Sequence, residues 1–374
     1  MSIDFRASPR PTLGVEWEFA LVDKVTRDLS NTASELFASV RRHEGADVPR
    51  LHKELLRNTI EVVTGTCGSV DEAVHDLTGT LRLVRDLADD LGVDLYGAGT
   101  HPFAPWAAQL VTPGHRYDTL IERTQWWGRQ LLIWGVHVHV GVRRRDHVLP
   151  IISSLLNQLP HLQALSASSP LYAGTDTGYA STRAMLYQQL PTAGLPIQFE
   201  RWEEFESFVA EEEKTGVIEC LKDLRWDIRP SPGFGTVEVR VCDGVSTMHE
   251  LRALVALTHC LVVDLEARLD AGETLPTLPA WHVRENKWRA ARYGLDAEVI
   301  VDRSCREREL TDDLDDLLLR LEPVARRLGC ESDLASVAEI PTVGAGYERQ
   351  RKVAAEAGND LTAVVDSVVK GLRL

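Results

Sequence analysis

Three short motifs place chemical side chains at alternate positions inside otherwise apolar stretches. GVEWEFALVD carries Glu16 and Glu18, WGVHVHVGV carries His137 and His139, and GTVEVRVCDG carries Glu238 and Arg240. Within Asn58–Thr64, Glu61 stands between Ile60 and Val62, and Glu54 precedes it by seven residues. Glutamate is depleted in strands, so its recurrence in the middle of several of them asks for a chemical reason. If these strands are neighbours, Glu16, Glu18, Glu61 and Glu238 converge. Two like charges about 5 Å apart then repel by roughly 3 kcal/mol at an effective dielectric of about 20. Arg240 supplies one compensating charge, so either carboxylates take up protons or bound cations neutralise them. Ligands that are mostly oxygen with a single imidazole suit Mg²⁺ or Mn²⁺ better than zinc, and Mg²⁺ in turn points to a nucleotide.

The elements that must hold these groups are legible from periodicity. In Leu13–Leu21, residues Leu13, Val15, Trp17, Phe19 and Leu21 share one face and Gly14, Glu16, Glu18 and Ala20 the other. Val136, Val138, Val140 and Val142 oppose Gly135, His137, His139 and Gly141. Val237, Val239 and Val241 oppose Thr236, Glu238, Arg240 and Cys242. The spacing predicts an α+β protein whose largely antiparallel sheet packs one face on helices and opens the other as a polar floor. Ser69 with Glu72, and Thr247 with Glu250, read as capping boxes opening two helices that should lie on the sheet. Beyond about Glu307 the chain reads as helical to its end, with no candidate chemistry.

Composition removes several function classes. Lys plus Arg number 41 against 56 Asp plus Glu, a net charge of −15 that opposes binding to a phosphate backbone. No stretch is apolar for the roughly eighteen residues a membrane span needs, and the first residues lack a signal-peptide pattern, so a cytoplasmic protein is expected. Cys67, Cys220, Cys242, Cys260, Cys305 and Cys330 form no CxxC pair. The chain contains no Gly-Lys dipeptide and hence no GxxxxGK[ST] loop, and no strand-linked GxGxxG, GxSxG or HExxH occurs. A sheet floor with metals and arginines can instead position ATP and stabilise phosphoryl transfer.

With GTHPFA, HKELLRNTIEVVTG, DTGYASTRAMLYQQLPTAGLP and RWDIRPSPGFGTVEVRVCDG added, the motifs resemble the carboxylate-amine ligase family known as type 2 glutamate-cysteine ligases. The resemblance runs from about Pro11 to about Arg292. It implies a glutamine synthetase-like catalytic fold, with a curved, mainly antiparallel sheet forming an open funnel and helices packed on its outer face. It also implies assembly as a homo-oligomer through the helical parts, for which a dimer is expected, and one domain is expected over residues 1–374 with the helical extension from about 307.

Carried over by motif, Glu16, His137 and Glu238 would hold the metal nearest the nucleotide phosphates. Glu18, Glu61 and Glu54 would hold the metal near the substrate carboxylate. Arg240 would meet the transferring phosphoryl group with Arg229 sharing that work, His139 would contact phosphate, Arg183 would clamp the substrate carboxylate, and His101 would line the funnel. The implied reaction passes the ATP γ-phosphoryl group to a carboxylate, glutamate being the best acid, and an amine attacks the acyl phosphate. Glu16→Gln or Glu238→Gln is expected to abolish ATP turnover and leave folding largely intact. The competing readings are a metal-dependent amidohydrolase, because HxH on a strand also opens such sites, and a nucleotide-binding protein without turnover.

Overall fold

A computed structural model describes residues 2–373. The alternation beginning at Leu13 becomes an eleven-residue strand, β1 (Leu13–Asp23). Six further strands join it: β2 (Leu51–Lys53), β3 (Thr59–Val63), β4 (Val93–Tyr96), β5 (Gly135–Gly141), β6 (Ile228–Ser231) and β7 (Thr236–Asp243). They pair antiparallel in the spatial order β6-β7-β5-β1-β3-β2, with β4 taking the edge of β1 beyond the end of β5. β1 is central because both its edges are paired over most of its length.

Leu13, Val15, Trp17, Phe19 and Leu21 of β1 and the valines of β5 and β7 enter one continuous core, each at most 2% exposed. Burying each such side chain stabilises the fold by about 2 kcal/mol before entropy is counted. The helices Val70–Asp90 and Met248–Asp270 lie against this face. Ser69 Oγ and Thr247 Oγ1 cap them, accepting from the amides of Glu72 (3.2 Å) and Glu250 (3.1 Å). The reciprocal halves of both boxes are missing. The Glu72 carboxylate takes the Gly68 amide, and that of Glu250 pairs with Arg349 from the C-terminal region.

The opposite face is open only across its middle. Past Glu18 it is roofed by a second apolar cluster in which Ala20, Val22, Tyr96 and Trp134 meet Val365, Val368 and Val369 of the helix Leu361–Gly371. Glu307 opens a three-residue strand, Glu307–Glu309, before the helices expected there begin. One correction concerns β7. Val239 pairs with Val138 and Cys242 with Val136, so one extra residue is inserted between them. This bulge reverses the alternation. Cys242, expected on the polar face, is buried in the core against the Leu162 carbonyl, and Asp243 takes the polar side opposite Gly135.

Candidate active site

Strand register converts distant positions into neighbours. Glu16 lies opposite His137, Glu18 opposite Glu61, and Glu238 opposite both His139 and Arg229. Glu54 reaches the same floor from the turn after β2. Two clusters result. In the first, one ligand atom from each of Glu16, His137 and Glu238 lies within 4.8 Å of the others, and in the second Glu18, Glu54 and Glu61 do the same.

Around the first cluster, Glu16 accepts from His137 Nδ1 at 2.9 Å and from His139 Nε2 at 3.2 Å. Arg229 Nε (2.7 Å) and Nη2 (3.2 Å) grip Glu238, and Arg240 Nη1 pairs with the same carboxylate. Burial alone would raise the Glu16 pKa, but the two imidazoles hold it well below the usual carboxylate range. Glu238 is buried too, and Arg240 and Arg229 hold its pKa far down. Burial and Arg240 lower that of His137, leaving a neutral ring beside two carboxylates.

The second cluster has no such relief: among the described residues, no cationic side chain forms an ion pair with Glu18, Glu54 or Glu61. Among the described residues, Glu18 accepts only the Gly135 amide (2.6 Å) and Glu54 only that of Leu55 (3.2 Å). Burial and the charge of Glu18 push Glu54 up to about 7. Burial with Glu54, Glu16 and Glu18 pushes Glu61 well above the carboxylate range. Three convergent carboxylates without a cation are a donor set for a hard divalent ion, which would displace their protons. A neutral imidazole between two ionised carboxylates fits Mg²⁺ or Mn²⁺ at the first cluster.

Residues 12–367 match the family described as glutamate-cysteine ligase family 2 (GCS2). A protein of Nocardioides sp. (strain ATCC BAA-499 / JS614), named "Putative glutamate--cysteine ligase 2-3", is 65% identical over 373 residues, covering 100% of this chain and 99% of its own length. The chain belongs to glutamate-cysteine ligase family 2. Its fold is shared with a glutamate-cysteine ligase of Francisella tularensis solved in complex with AMP, at a TM-score of 0.71 and 12% identity over 98% of this chain and 89% of that one. A bifunctional glutathione synthetase of Pasteurella multocida superposes at 0.66 and 13% identity, over 97% of this chain and 51% of that one. The glutamine synthetase-like architecture expected from the motifs is therefore the observed one, and membership of this ligase family displaces the amidohydrolase alternative.

For this family 2 member the structure alters four residue assignments. His101 does not line the floor. It is fully buried, with Nε2 2.9 Å from the Arg27 carbonyl and Nδ1 accepting from the amides of Phe103 and Ala104, so neither nitrogen is left for a ligand. Arg183 is 3% exposed and donates at 3.3 Å to the carbonyls of Val241 and Arg240, which makes it a splint for the β7 bulge rather than an open carboxylate clamp. His139 is spent between Thr236 Oγ1 (2.9 Å) and Glu16 (3.2 Å), so it holds the Glu16 carboxylate and has no nitrogen left for phosphate. Arg229 also donates to the Leu224 and Lys222 carbonyls, so its guanidinium is occupied in fixing Glu238.

Two residues escaped the sequence reading. Tyr187 Oη stands 3.4 Å from Arg240 Nη2, and a tyrosine on a distant helix carries no sequence signal for that contact. Asp243 accepts from Ser168 N (3.0 Å), Ser169 Oγ (2.6 Å) and Ser181 Oγ (2.8 Å), tying two loops to the bulge. Only the bulge turns it that way, although an aspartate directly after a valine-rich strand was a visible oddity.

Proposed function

We propose that this chain is an ATP-dependent carboxylate-amine ligase that forms an amide, with glutamate as the acid and an acyl phosphate as intermediate. The observation that carries the reading is the pairing of two acidic clusters, one charge-compensated and one bare, on a single sheet face beside the Arg240 guanidinium. Glu16, His137 and Glu238 would hold a divalent cation at the nucleotide phosphates, and Glu18, Glu54 and Glu61 another at the substrate carboxylate. Bound there, the cations would offset the charge of phosphates and carboxylate during phosphoryl transfer. Arg240 keeps one edge on Glu238 and the other toward Tyr187, and this fixed charge stabilises the phosphoryl group as the carboxylate oxygen displaces ADP. Arg229 and His139 hold Glu238 and Glu16 in place. The amine nitrogen then attacks the acyl carbon and phosphate leaves.

No helix among the described residues is long and apolar enough to cross a membrane, which agrees with a cytoplasmic enzyme of small molecules. A dimer formed through the helical C-terminal region completes the proposal. The test supplies ATP, Mg²⁺ or Mn²⁺, glutamate and a panel of amines including cysteine, and measures ADP together with amide. Hydroxylamine should trap the acyl phosphate as a hydroxamate. MgATP binding without ADP release across the panel would instead make the protein a nucleotide binder.

A further inference from the structure

Strand β5 arranges the floor in a line. The Gly135 amide touches Glu18 of the bare cluster, His137 touches Glu16 and Arg240, and His139 stands two residues further on. At a rise of about 3.3 Å per residue, the groups needed by acid substrate and phosphates are spread along the strand in that order. Beyond His139 the line ends at Phe234, in the β6–β7 turn. Phe234 is 71% exposed, and its ring centroid lies 5.7 Å from that of His139 in a perpendicular, edge-to-face contact.

The turn holding this ring is built firmly. The amides of Phe234 and Gly235 both donate to the Ser231 carbonyl (3.1 and 3.0 Å). Arg6 N donates to the Pro232 carbonyl and Val142 N to that of Gly235, each at 3.0 Å. Gly235 has φ +69°, and a Cβ there would strike the Arg6 carbonyl, so the segment entering β1 clamps the tip. A phenylalanine held at the rim of a polar floor, touched by the His139 ring and otherwise largely open to solvent, offers an aromatic surface to a ligand. Bases stack on such faces whatever their edge pattern.

We infer that Phe234 is the platform on which the nucleotide base stacks, with the triphosphate running back along β5 over His139 to the cluster of Glu16, His137 and Glu238 and ending at Arg240. The inference rests on the ligase reading above. It gives Phe234 a binding role and no part in the chemistry, and it makes the tip accept purine bases broadly.

The experiment compares wild type with Phe234→Ala and Phe234→Trp, measuring kcat and KM for ATP from ADP release, and the inhibition constant of inorganic tripolyphosphate, which has no base. Phe234→Ala should raise KM for ATP about tenfold and leave kcat within about twofold. Phe234→Trp should restore KM, and tripolyphosphate should inhibit all three proteins equally. An unchanged KM in Phe234→Ala overturns the inference, as does an equal weakening of tripolyphosphate, which would mean the turn had merely distorted the phosphate site. If wild type itself neither binds MgATP nor releases ADP, the ligase reading fails, an outcome distinct from a wild type that works and an alanine variant that matches it.

Discussion

Glu61→Gln isolates the charge stored in the bare cluster. Glu61 lies in register with Glu18, and its carboxylate is within 4.8 Å of those of Glu18 and Glu54. At that distance each ionised pair costs about 3 kcal/mol at an effective dielectric of 20. The displacement of Glu54 from 4.5 to about 7, caused first by burial and then by the charge of Glu18, corresponds to about 3 kcal/mol. Both Glu54 and Glu61 are raised in the folded state. Their contribution is therefore fully present below the ordinary carboxyl range and is lost as pH rises through the folded values. Removing the Glu61 charge, which faces both Glu18 and Glu54, should stabilise the metal-free protein at pH 8 by about 3–6 kcal/mol and do almost nothing at pH 5. With an unfolding entropy of about 2.1 cal/mol/K per residue, the gain is about 4–8 °C in Tm. Calorimetry of wild type and variant at both pH values, with and without millimolar Mg²⁺, reads this directly. Mg²⁺ should raise the wild-type Tm at pH 8 by more than that of the variant, which keeps only the cluster of Glu16, His137 and Glu238 intact. A variant less stable than wild type at pH 8, or shifted equally at pH 5 and pH 8, would refute the reasoning.

Glu238→Gln should behave in the opposite sense. The sequence-based expectation that it leaves folding intact does not survive the structure, because Glu238 compensates both Arg229 and Arg240. Its loss should cost about 3 kcal/mol in urea denaturation, along with ATP turnover. His101→Ala should lower Tm and leave KM for every substrate within about twofold, since the ring serves only backbone groups. Gly135→Ala should destabilise by about 1–3 kcal/mol and cut kcat, because its Cβ would overlap Arg183 and the Cys242 carbonyl; thermal melts and steady-state rates check both.

Much of the site was legible because side-chain alternation is a local property of extended backbone. Leu13, Val15 and Trp17 on one side already required Glu16 and Glu18 on the other, and the valines of β5 and β7 did the same for His137, His139 and Glu238. The motifs sufficed for the family as well. What no local pattern contains is which strands pair, in what register, and where an extra residue enters. Those depend on hydrogen bonds and packing between segments far apart in the chain, as Leu13 and Val140 are. Hence Cys242 and Asp243 exchanged faces at the bulge. Likewise, His101 and His139 look free in sequence but are spent in the fold, because buried polar groups must find partners and the nearest were a backbone carbonyl, backbone amides, a hydroxyl and a neighbouring carboxylate. Arg183 is buried with both terminal nitrogens on backbone carbonyls and its Nε without a partner among the described residues. The sequence alone determined which side chains share a strand face and that their charges need cations. The tertiary structure decided which of them remain available to a ligand, because only there are competing partners brought within reach.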